Sequence, residues 1–267
     1  MRGIIIAAGL GSRMGVFTQT RPKCLLPIGN RTLLDRTIDN LRAAGCDEVV
    51  LVTGHKAEMI DRADVVTIRN DDYAHNNILH SLMYARSYFD GPVIAMYSDI
   101  WVEPHIYRQL LDAPGDIVLS VDRDWLPYYE GRTEHPIDEA ENIFVDVAGA
   151  VIAAGKAMDR KDQDELLVGE FLGLWKMEAA GAKIFREIFE ELEKTLDLHQ
   201  PFGRAREWRK SYITDFIQYL VDRGVCVDCS LIERGWAELD TSQDYQRLPE
   251  IAARQRLKTI SMHGAGQ

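Results

Sequence analysis

The sequence is short of positive charge: its 267 residues include 31 Lys and Arg against 42 Asp and Glu, a formal net charge of −11. A polyanionic partner, such as nucleic acid or an anionic membrane, needs a basic face on the protein. We therefore expect no nucleic-acid partner, and we expect any anion site to be confined to a few residues.

Long apolar runs are also missing. No stretch approaches the ~20 apolar residues that span a bilayer. Residues 1–3 lead into a predicted strand without the apolar region of a signal peptide. We expect no membrane insertion and a cytoplasmic location.

Residues that commonly bind metals show no ligand spacing. Cys226 and Cys229 are two residues apart, but no second pair accompanies them, so we interpret them as structural thiols. The other two cysteines are isolated, as in proteins of a reducing compartment. The histidines are scattered, and we expect none of them to be catalytic: His55, His75, His80, His105, His135, His199 and His263.

Apolar strand patterns alternate with amphipathic helix patterns through the first half, which predicts an α/β fold. We expect a single domain, 1–267, with a parallel sheet in its first half, 1–121, and a less regular second half, 122–267, that includes the last helices. The predicted strands are 3–8, 48–53, 65–69, 92–97, 116–121, 171–177 and 225–232, with a hairpin over 142–154. The predicted helices are 32–44, 77–89, 103–111, 179–196, 211–222 and 242–257.

The most informative segment is IIIAAGLGSRM at residues 4–14, a strand that runs into a glycine-containing loop. Glycines without Cβ let backbone N–H groups approach a phosphate closely. Arg13 adds a guanidinium fork, and Lys23, after Pro22, adds a second positive charge. An ordinary surface turn is the alternative, which these basic residues disfavour. The predicted nucleotide-binding residues of the loop are Ala7, Ala8, Gly9, Leu10, Gly11 and Ser12.

The segments AAGLGSRM, 7–14, and PKCLLP, 22–27, resemble the signature of nucleotidyltransferases that activate sugar phosphates and small alcohol phosphates. The resemblance implies a doubly wound, mostly parallel, Rossmann-like sheet with a nucleotide-binding half, 1–121. An elaborated C-terminal half, 122–267, would carry the acceptor site and the last helices. On this resemblance an NTP binds on the signature loop, and an acceptor phosphate attacks its α-phosphorus, releasing pyrophosphate. The resemblance also implies catalytic roles for Arg13 and Lys23. The signature carries little information about the acceptor.

Two aspartates are candidate ligands for Mg²⁺, the cofactor that such a reaction needs. Asp99 follows an apolar predicted strand, where open α/β sheets place their ligands, although a turn aspartate is the alternative. Asp240 lies in LDTSQDY, 239–245, which resembles the second metal-ligand segment of bacterial choline-phosphate cytidylyltransferases. By its neighbours alone, Asp240 fits the N-cap of a helix equally well.

The segment NNILHSL, 76–82, resembles the cytidylyltransferase branch of this superfamily, which implies CTP as the nucleotide. Asn77 and Ser81 are one turn apart on a predicted helix and share a face. We expect both side chains to bind the nucleotide. A simple helix N-cap at Asn77 is the alternative.

Acids and aromatic residues are concentrated in 122–130, which predicts an acceptor site for an ammonium group. The candidate acceptor residues are Asp124, Trp125, Tyr129 and, on a later strand, Trp175. A sugar phosphate or a packing role for these aromatics is left open. The segment GRTEHP, 131–136, departs from the choline-specific pattern, so phosphocholine and 2-aminoethylphosphonate both stay candidates.

Together these patterns predict a Mg²⁺-dependent cytidylyltransferase that joins CMP from CTP to a small zwitterionic phosphate or phosphonate. A sugar-1-phosphate nucleotidyltransferase with another NTP is the first alternative. A catalytically silent nucleotide-binding regulatory module is the second. The basic segment 204–210 is interpreted as a loop that could contact another subunit, which leaves a homodimer open.

Overall fold

The computed structural model describes residues 1–158 and 165–248. Its strands are β1 (Arg2–Ala7), β2 (Pro27–Ile28), β3 (Arg31–Thr32), β4 (Glu48–Thr53), β5 (Val66–Arg69), β6 (Val93–Tyr97), β7 (Ile100–Val102), β8 (Ile117–Asp122), β9 (Glu141–Val145), β10 (Val151–Lys156), β11 (Leu167–Met177), β12 (Asp228–Ile232) and β13 (Trp236–Glu238). Its helices are α1 (Leu33–Ala43), α2 (Ile78–Met83), α3 (Pro104–Asp112), α4 (Ala179–Thr195) and α5 (Ile213–Asp222).

A nine-stranded sheet forms the centre, with the order β10-β9-β11-β6-β1-β4-β5; β8 also pairs with β11, and β12 pairs with β8. Strands β6, β1, β4 and β5 are parallel to one another, whereas β11 runs antiparallel to β6, β8 and β9. The predicted α/β class is therefore confirmed. The parallel part carries the first half of the chain, and the antiparallel part begins at β11.

Both faces of the sheet are covered, as the uninterrupted apolar sequence of β1 predicts. Ile4 and Ile6 pack into a core cluster with α2, α4 and α5, and Ile5 and Ala7 pack into a second cluster with α1 and α3. Successive side chains of a strand point to opposite faces. Each face of β1 is thus buried by a different set of helices.

Helix α1 begins where the sequence supplies its own cap. The Thr32 hydroxyl accepts a hydrogen bond from the Asp35 N–H, and the Asp35 carboxylate accepts one from the Thr32 N–H, both at 3.1 Å. This reciprocal pair satisfies two backbone donors that a helix start leaves open. The cap fixes the point where the chain leaves the β2–β3 hairpin.

Several predicted boundaries differ from the structure. The predicted helix 77–89 divides into α2 and a 3₁₀ turn at Arg86–Tyr88, and the strand predicted at 171–177 begins at Leu167. Residues 242–248 are helical, while the rest of the predicted last helix, 249–257, lies outside the described residues. Among the described residues, no helix is both long and apolar enough to cross a bilayer.

A two-stranded sheet that the sequence patterns do not predict joins distant parts of the chain. Strand β13 pairs antiparallel with β7, with Glu238 opposite Ile100. The pairing continues past the strands, because the Leu239 N–H donates to the Asp99 carbonyl at 2.8 Å. Asp240 is thereby brought beside the end of β6.

Strand β11 changes partners at a bulge that contains Gly173. Its first part pairs with β9 and its last part with β6, and Gly173 has a φ of +79°. A Cβ at this position would lie 2.6 Å from Cγ of Tyr97. The absence of a Cβ at Gly173 therefore leaves the space that the Tyr97 ring occupies.

We predict that Gly173→Ala lowers the unfolding free energy by about 3 kcal/mol, since it adds both left-handed strain and a clash with Tyr97. Gly224→Ala is a matched control, because Gly224 has a φ of +78° with no atom within 4 Å of its ideal Cβ. The control should cost about 1 kcal/mol. Equal losses for both variants in urea unfolding would contradict the steric account.

Candidate active site

A cavity of about 160 Å³, here the main cavity, opens at the carboxyl ends of β1 and β6. A narrower one of about 50 Å³, the inner cavity, continues from it toward β11. The two share several lining residues: Arg13, Tyr97, Glu141, Lys156 and Glu238. The position matches the edge at which open α/β sheets bind their ligands.

The loop after β1 forms one wall of the main cavity, to which Ala7, Gly9 and Gly11 contribute. Gly11 has a φ of +62°, and its carbonyl accepts a hydrogen bond from the Thr18 hydroxyl at 2.8 Å. No atom of the described residues lies within 4 Å of an ideal Cβ at Gly9. The backbone there faces open space, as a phosphate-binding loop requires.

The other predicted loop residues lie differently. Ala8 is buried, and its carbonyl accepts a hydrogen bond from the His55 N–H at 3.2 Å. Leu10 and Ser12 are exposed. These three residues are outside the lining of the main cavity, so only their backbone N–H groups remain candidates for phosphate contacts.

Three basic side chains of the site contact the carboxylate of Asp240. Its oxygens lie 2.6 Å from Arg13 Nη2, 3.1 Å from Lys23 Nζ and 2.7 Å from His135 Nδ1. Burial alone would raise the pKa of Asp240, but the His135 hydrogen bond and the charges of Lys23 and Arg13 hold it well below its usual range. Asp240 is therefore ionised throughout the neutral pH range.

Lys23 joins the two predicted metal ligands. Its Nζ donates to Asp99 at 2.8 Å and to Asp240 at 3.1 Å. Burial alone would lower the pKa of Lys23, but the two carboxylates outweigh it and raise the pKa above its usual value. Two carboxylates thus converge on one cationic centre, which is the oxygen-rich donor set that Mg²⁺ prefers.

A buried guanidinium holds the segment around Asp240 in place. Arg132, whose side chain is fully buried, donates to Glu238 at 2.7 Å and to Asp244 at 2.7 Å and 3.1 Å. Asp244 in turn accepts hydrogen bonds from the N–H groups of Asp240 and Thr241. Arg132 therefore fixes both ends of the segment that carries Asp240.

His135 belongs to the site, although we expect none of the histidines to be catalytic. Its ring is buried, and potential ligand atoms of His135, Glu238 and Asp240 all lie within 4.8 Å of one another. Chain spacing gives no signal for such a cluster, because His135 and Asp240 are 105 positions apart in the chain. Contact with Asp240 makes His135 a positioning residue of the site.

The predicted acceptor residues do not reach either cavity. Trp125 and Tyr129 are buried in a third apolar cluster, and Trp175 is fully buried in the first. Asp124 is exposed, with its N–H bonded to Asp122. Aromatic residues that cluster next to acids are also typical of packed cores. Here the aromatic rings form the core beneath the 122–141 segment.

Other acids and aromatic rings face the cavities instead. Tyr97 donates from its hydroxyl to Glu141 at 3.2 Å, and Lys156 Nζ lies 4.3 Å from the centre of the Tyr212 ring. Burial raises the pKa of Glu141 to about 7. These residues come from four separate elements, so no local sequence pattern unites them.

The two residues predicted to contact the base are separated by the structure. Asn77 lines the main cavity and its side-chain amide donates to the Lys210 carbonyl at 3.0 Å. Ser81 is buried behind it, where its hydroxyl oxygen accepts a hydrogen bond from Asn70 at 2.9 Å. Of the two residues, Asn77 lines the main cavity and Ser81 does not, so Asn77 alone of this pair stays a candidate for a nucleotide contact.

The profile of the MobA-like NTP transferase domain matches residues 3–168, more than half of the chain. The chain belongs to this family. The matched range includes the loop, Lys23 and Asp99, which confirms the nucleotidyltransferase prediction. Asp240 lies beyond it.

Two curated relatives extend the comparison. The CTP:phosphoglutamine cytidylyltransferase of Campylobacter jejuni is 24% identical over 257 residues, covering 92% of this transferase and 98% of the relative. The CMP-5'-(3-aminopropyl)phosphonate synthase of Streptomyces rubellomurinus is 29% identical over 251 residues, covering 83% of this chain and 37% of the relative. This transferase thus spans little more than a third of the second protein.

A solved structure supports the fold of the transferase. The CTP:phosphocholine cytidylyltransferase of Streptococcus pneumoniae superposes with a TM-score of 0.70 at 18% identity, covering 94% of this chain and 98% of that one. The match extends through the antiparallel part of the sheet. The Rossmann-like nucleotidyltransferase fold is therefore confirmed over nearly the whole chain.

We predict that Arg132→Ala lowers the unfolding free energy by about 3 kcal/mol, because it leaves the buried Asp244 and the half-buried Glu238 without their cation. Arg123→Ala is the control, since Arg123 forms an exposed ion pair with Glu233. That change should cost less than about 1 kcal/mol. Similar costs in denaturant unfolding would show that the buried cation contributes no more than a surface one.

We also predict a pH-dependent stability effect at Glu170, whose pKa burial raises to about 8 from 4.5 in the unfolded chain. A raised carboxyl pKa means that stability falls as pH rises from about 4.5 to about 8. Glu170→Gln should therefore gain stability over the wild type across this window, by about 2 kcal/mol or more at pH 8. A constant difference between pH 5 and pH 9 in thermal unfolding would contradict this prediction.

Proposed function

We propose that the protein is a Mg²⁺-dependent cytidylyltransferase that transfers CMP from CTP to a small zwitterionic phosphate or phosphonate. The observation that carries the proposal is the polarity of the joined cavities. Lys23 and the glycine loop line the main cavity alone, Glu139, Glu170 and Phe171 line the inner cavity alone, and Arg13 lies where the two meet. A dipolar acceptor fits between them with its phosphate toward the cations.

The acceptor end combines the groups that recognise an ammonium ion. Glu139, Glu141, Glu170 and Glu238 line the inner cavity, while Tyr97 and Phe171 supply ring faces. Carboxylates attract the cation through charge, and aromatic faces attract it through their quadrupole. Lys156 forms an ion pair with Glu139 at 3.0 Å and lines both cavities, so we assign it to the acceptor phosphate or phosphonate.

The nucleotide end supports an NTP bound through its phosphates. In the proposed roles, backbone N–H groups over Ala7–Ser12 face the phosphates and Arg13 binds the leaving pyrophosphate. Lys23 stabilises the charge that develops on the α-phosphate. Both basic side chains would exchange their contacts with Asp240 for contacts with the substrate.

Asp99 and Asp240 would hold Mg²⁺, because both face the same cationic position that Lys23 Nζ takes here. When bound, Mg²⁺ would neutralise part of the triphosphate charge. In the reaction, an acceptor oxygen forms a bond to the α-phosphorus. The α–β bridging bond breaks, and pyrophosphate departs with the bonding electrons.

The assignment of CTP is supported by the NNILHSL segment, by Asn77 in the main cavity and by the cytidylyl names of the relatives. The acceptors in their names differ, as one acts on phosphoglutamine and the other makes an aminopropylphosphonate product. The acceptor class rather than one compound is therefore proposed.

The proposal is tested by pyrophosphate release with CTP, UTP, TTP and GTP against phosphoethanolamine, 2-aminoethylphosphonate, phosphocholine and glucose 1-phosphate. We expect turnover with CTP and an amino-bearing acceptor. Turnover with glucose 1-phosphate and another NTP would instead identify a sugar-1-phosphate enzyme. Nucleotide binding without any pyrophosphate would identify a regulatory module.

We predict that Asp99→Asn and Lys23→Ala each lower kcat/KM at least ~100-fold, the scale of losing one preorganised electrostatic group. Matched controls are Asp112→Asn and Lys183→Ala, which change exposed residues of α3 and α4. The controls should retain wild-type kcat/KM. Full activity in either site variant would exclude the proposed mechanism.

A further inference from the structure

The inner cavity contains a buried carboxylate that the proposed phosphate chemistry does not use. Glu170, on β11, is 3% exposed, and its Oε1 accepts a hydrogen bond from the Tyr129 hydroxyl. Its second oxygen, Oε2, has no hydrogen-bond partner among the described residues. A buried polar atom left in this way costs free energy unless a ligand or water completes it.

The neighbouring cationic side chains, Arg132 and Arg234, form ion pairs with other carboxylates. Arg132 binds Glu238 and Asp244, and Arg234 binds Asp122 through a charged pair and a backbone hydrogen bond. One nitrogen of Arg132, Nη1, is itself unpartnered in the described structure. A water shared between Arg132 Nη1 and Glu170 is therefore the competing explanation, and the experiment must distinguish it.

The size of the inner cavity limits what can reach Glu170. Its volume is about 50 Å³, and a water needs ~10–15 Å³ of such space. A compact group such as an ammonium ion fits, whereas three methyl groups on the nitrogen would need much of the remaining space. The walls include the rings of Tyr97 and Phe171 and the carboxylates of Glu141 and Glu238, with Arg13 and Lys156 on the side shared with the main cavity.

Resting on the proposed function, we propose that Oε2 of Glu170 accepts a hydrogen bond from a primary ammonium group of the acceptor. The residue then determines specificity, because a quaternary ammonium carries the same charge but has no N–H to donate. A site built around such a hydrogen bond rejects analogues that lack the donor. The acceptor class becomes aminoalkyl phosphates or phosphonates rather than choline derivatives.

The charge state of the free protein agrees with this geometry. Burial raises the pKa of Glu170 to about 8, and none of the described residues donates a hydrogen bond to its second oxygen. An ammonium placed there favours the ionised carboxylate. Acceptor binding would thus remove the desolvation cost that Glu170 imposes on the free protein.

The experiment measures kcat/KM with CTP for phosphoethanolamine, its N-methyl and N,N-dimethyl derivatives, and phosphocholine, in which the N–H count falls from three to zero. 2-Aminoethylphosphonate and its N,N,N-trimethyl analogue form a second matched pair. For the wild type we expect a loss of at least ~100-fold from the primary to the quaternary member, mainly in acceptor KM. Glu170→Gln should reduce this ratio to less than ~10-fold while KM for CTP stays unchanged.

Glu170→Asp provides a second variant that keeps the carboxylate but shortens its reach, and it should also reduce the ratio. Glu58→Gln, a change at an exposed glutamate, is the control and should keep the wild-type ratio. Equal rates for phosphoethanolamine and phosphocholine in the wild type would overturn the inference while leaving the proposed function intact. An unchanged ratio in Glu170→Gln would do the same and would favour the shared water. No CTP-dependent pyrophosphate with any member would overturn the proposed function, and the inference with it.

Discussion

The buried carboxylate of Asp240 is the constraint on which the candidate site depends. Three donors from separate segments, Arg13, Lys23 and His135, meet at its two oxygens. Arg13 and Lys23 would repel each other without this negative charge, and the carboxylate could not stay ionised at low exposure without its three partners. These attractions hold together the loop, the end of β6 and the segment after β13. Arg132 fixes the segment that carries Asp240 through its ion pairs with Glu238 and Asp244.

The parts of the site that sequence could predict are those encoded within one short segment. The loop between Ala7 and Arg13, the aspartate after β6 and the LDTSQDY segment each carry a local pattern, and the structure brings them to one cavity. The pairing of β7 with β13 has no such pattern, since each strand is only three residues long. His135, Arg132 and Glu170 were missed for the same reason, because their roles arise only from tertiary contacts.

The acceptor aromatics show that composition can point to residues which the fold buries. Aromatic rings beside carboxylates do line the inner cavity, but they come from Tyr97, Phe171 and the glutamates around them. The 122–130 segment has the same composition, and there the rings are buried because Leu33, Ala237 and Leu239 cover them. Composition alone therefore cannot separate a binding surface from a core, since both bury aromatic area.

The contact between Lys23 and Asp240 joins residues 217 positions apart in the chain. Closing so long a loop has a large entropic cost that only the complete set of contacts recovers. During synthesis the loop and Asp99 leave the ribosome well before Asp240, so a partial chain has the phosphate loop without the carboxylate that restrains its cations. The site is therefore among the last features to assemble, and recovered activity in refolding is a readout of the whole fold rather than of the nucleotide half.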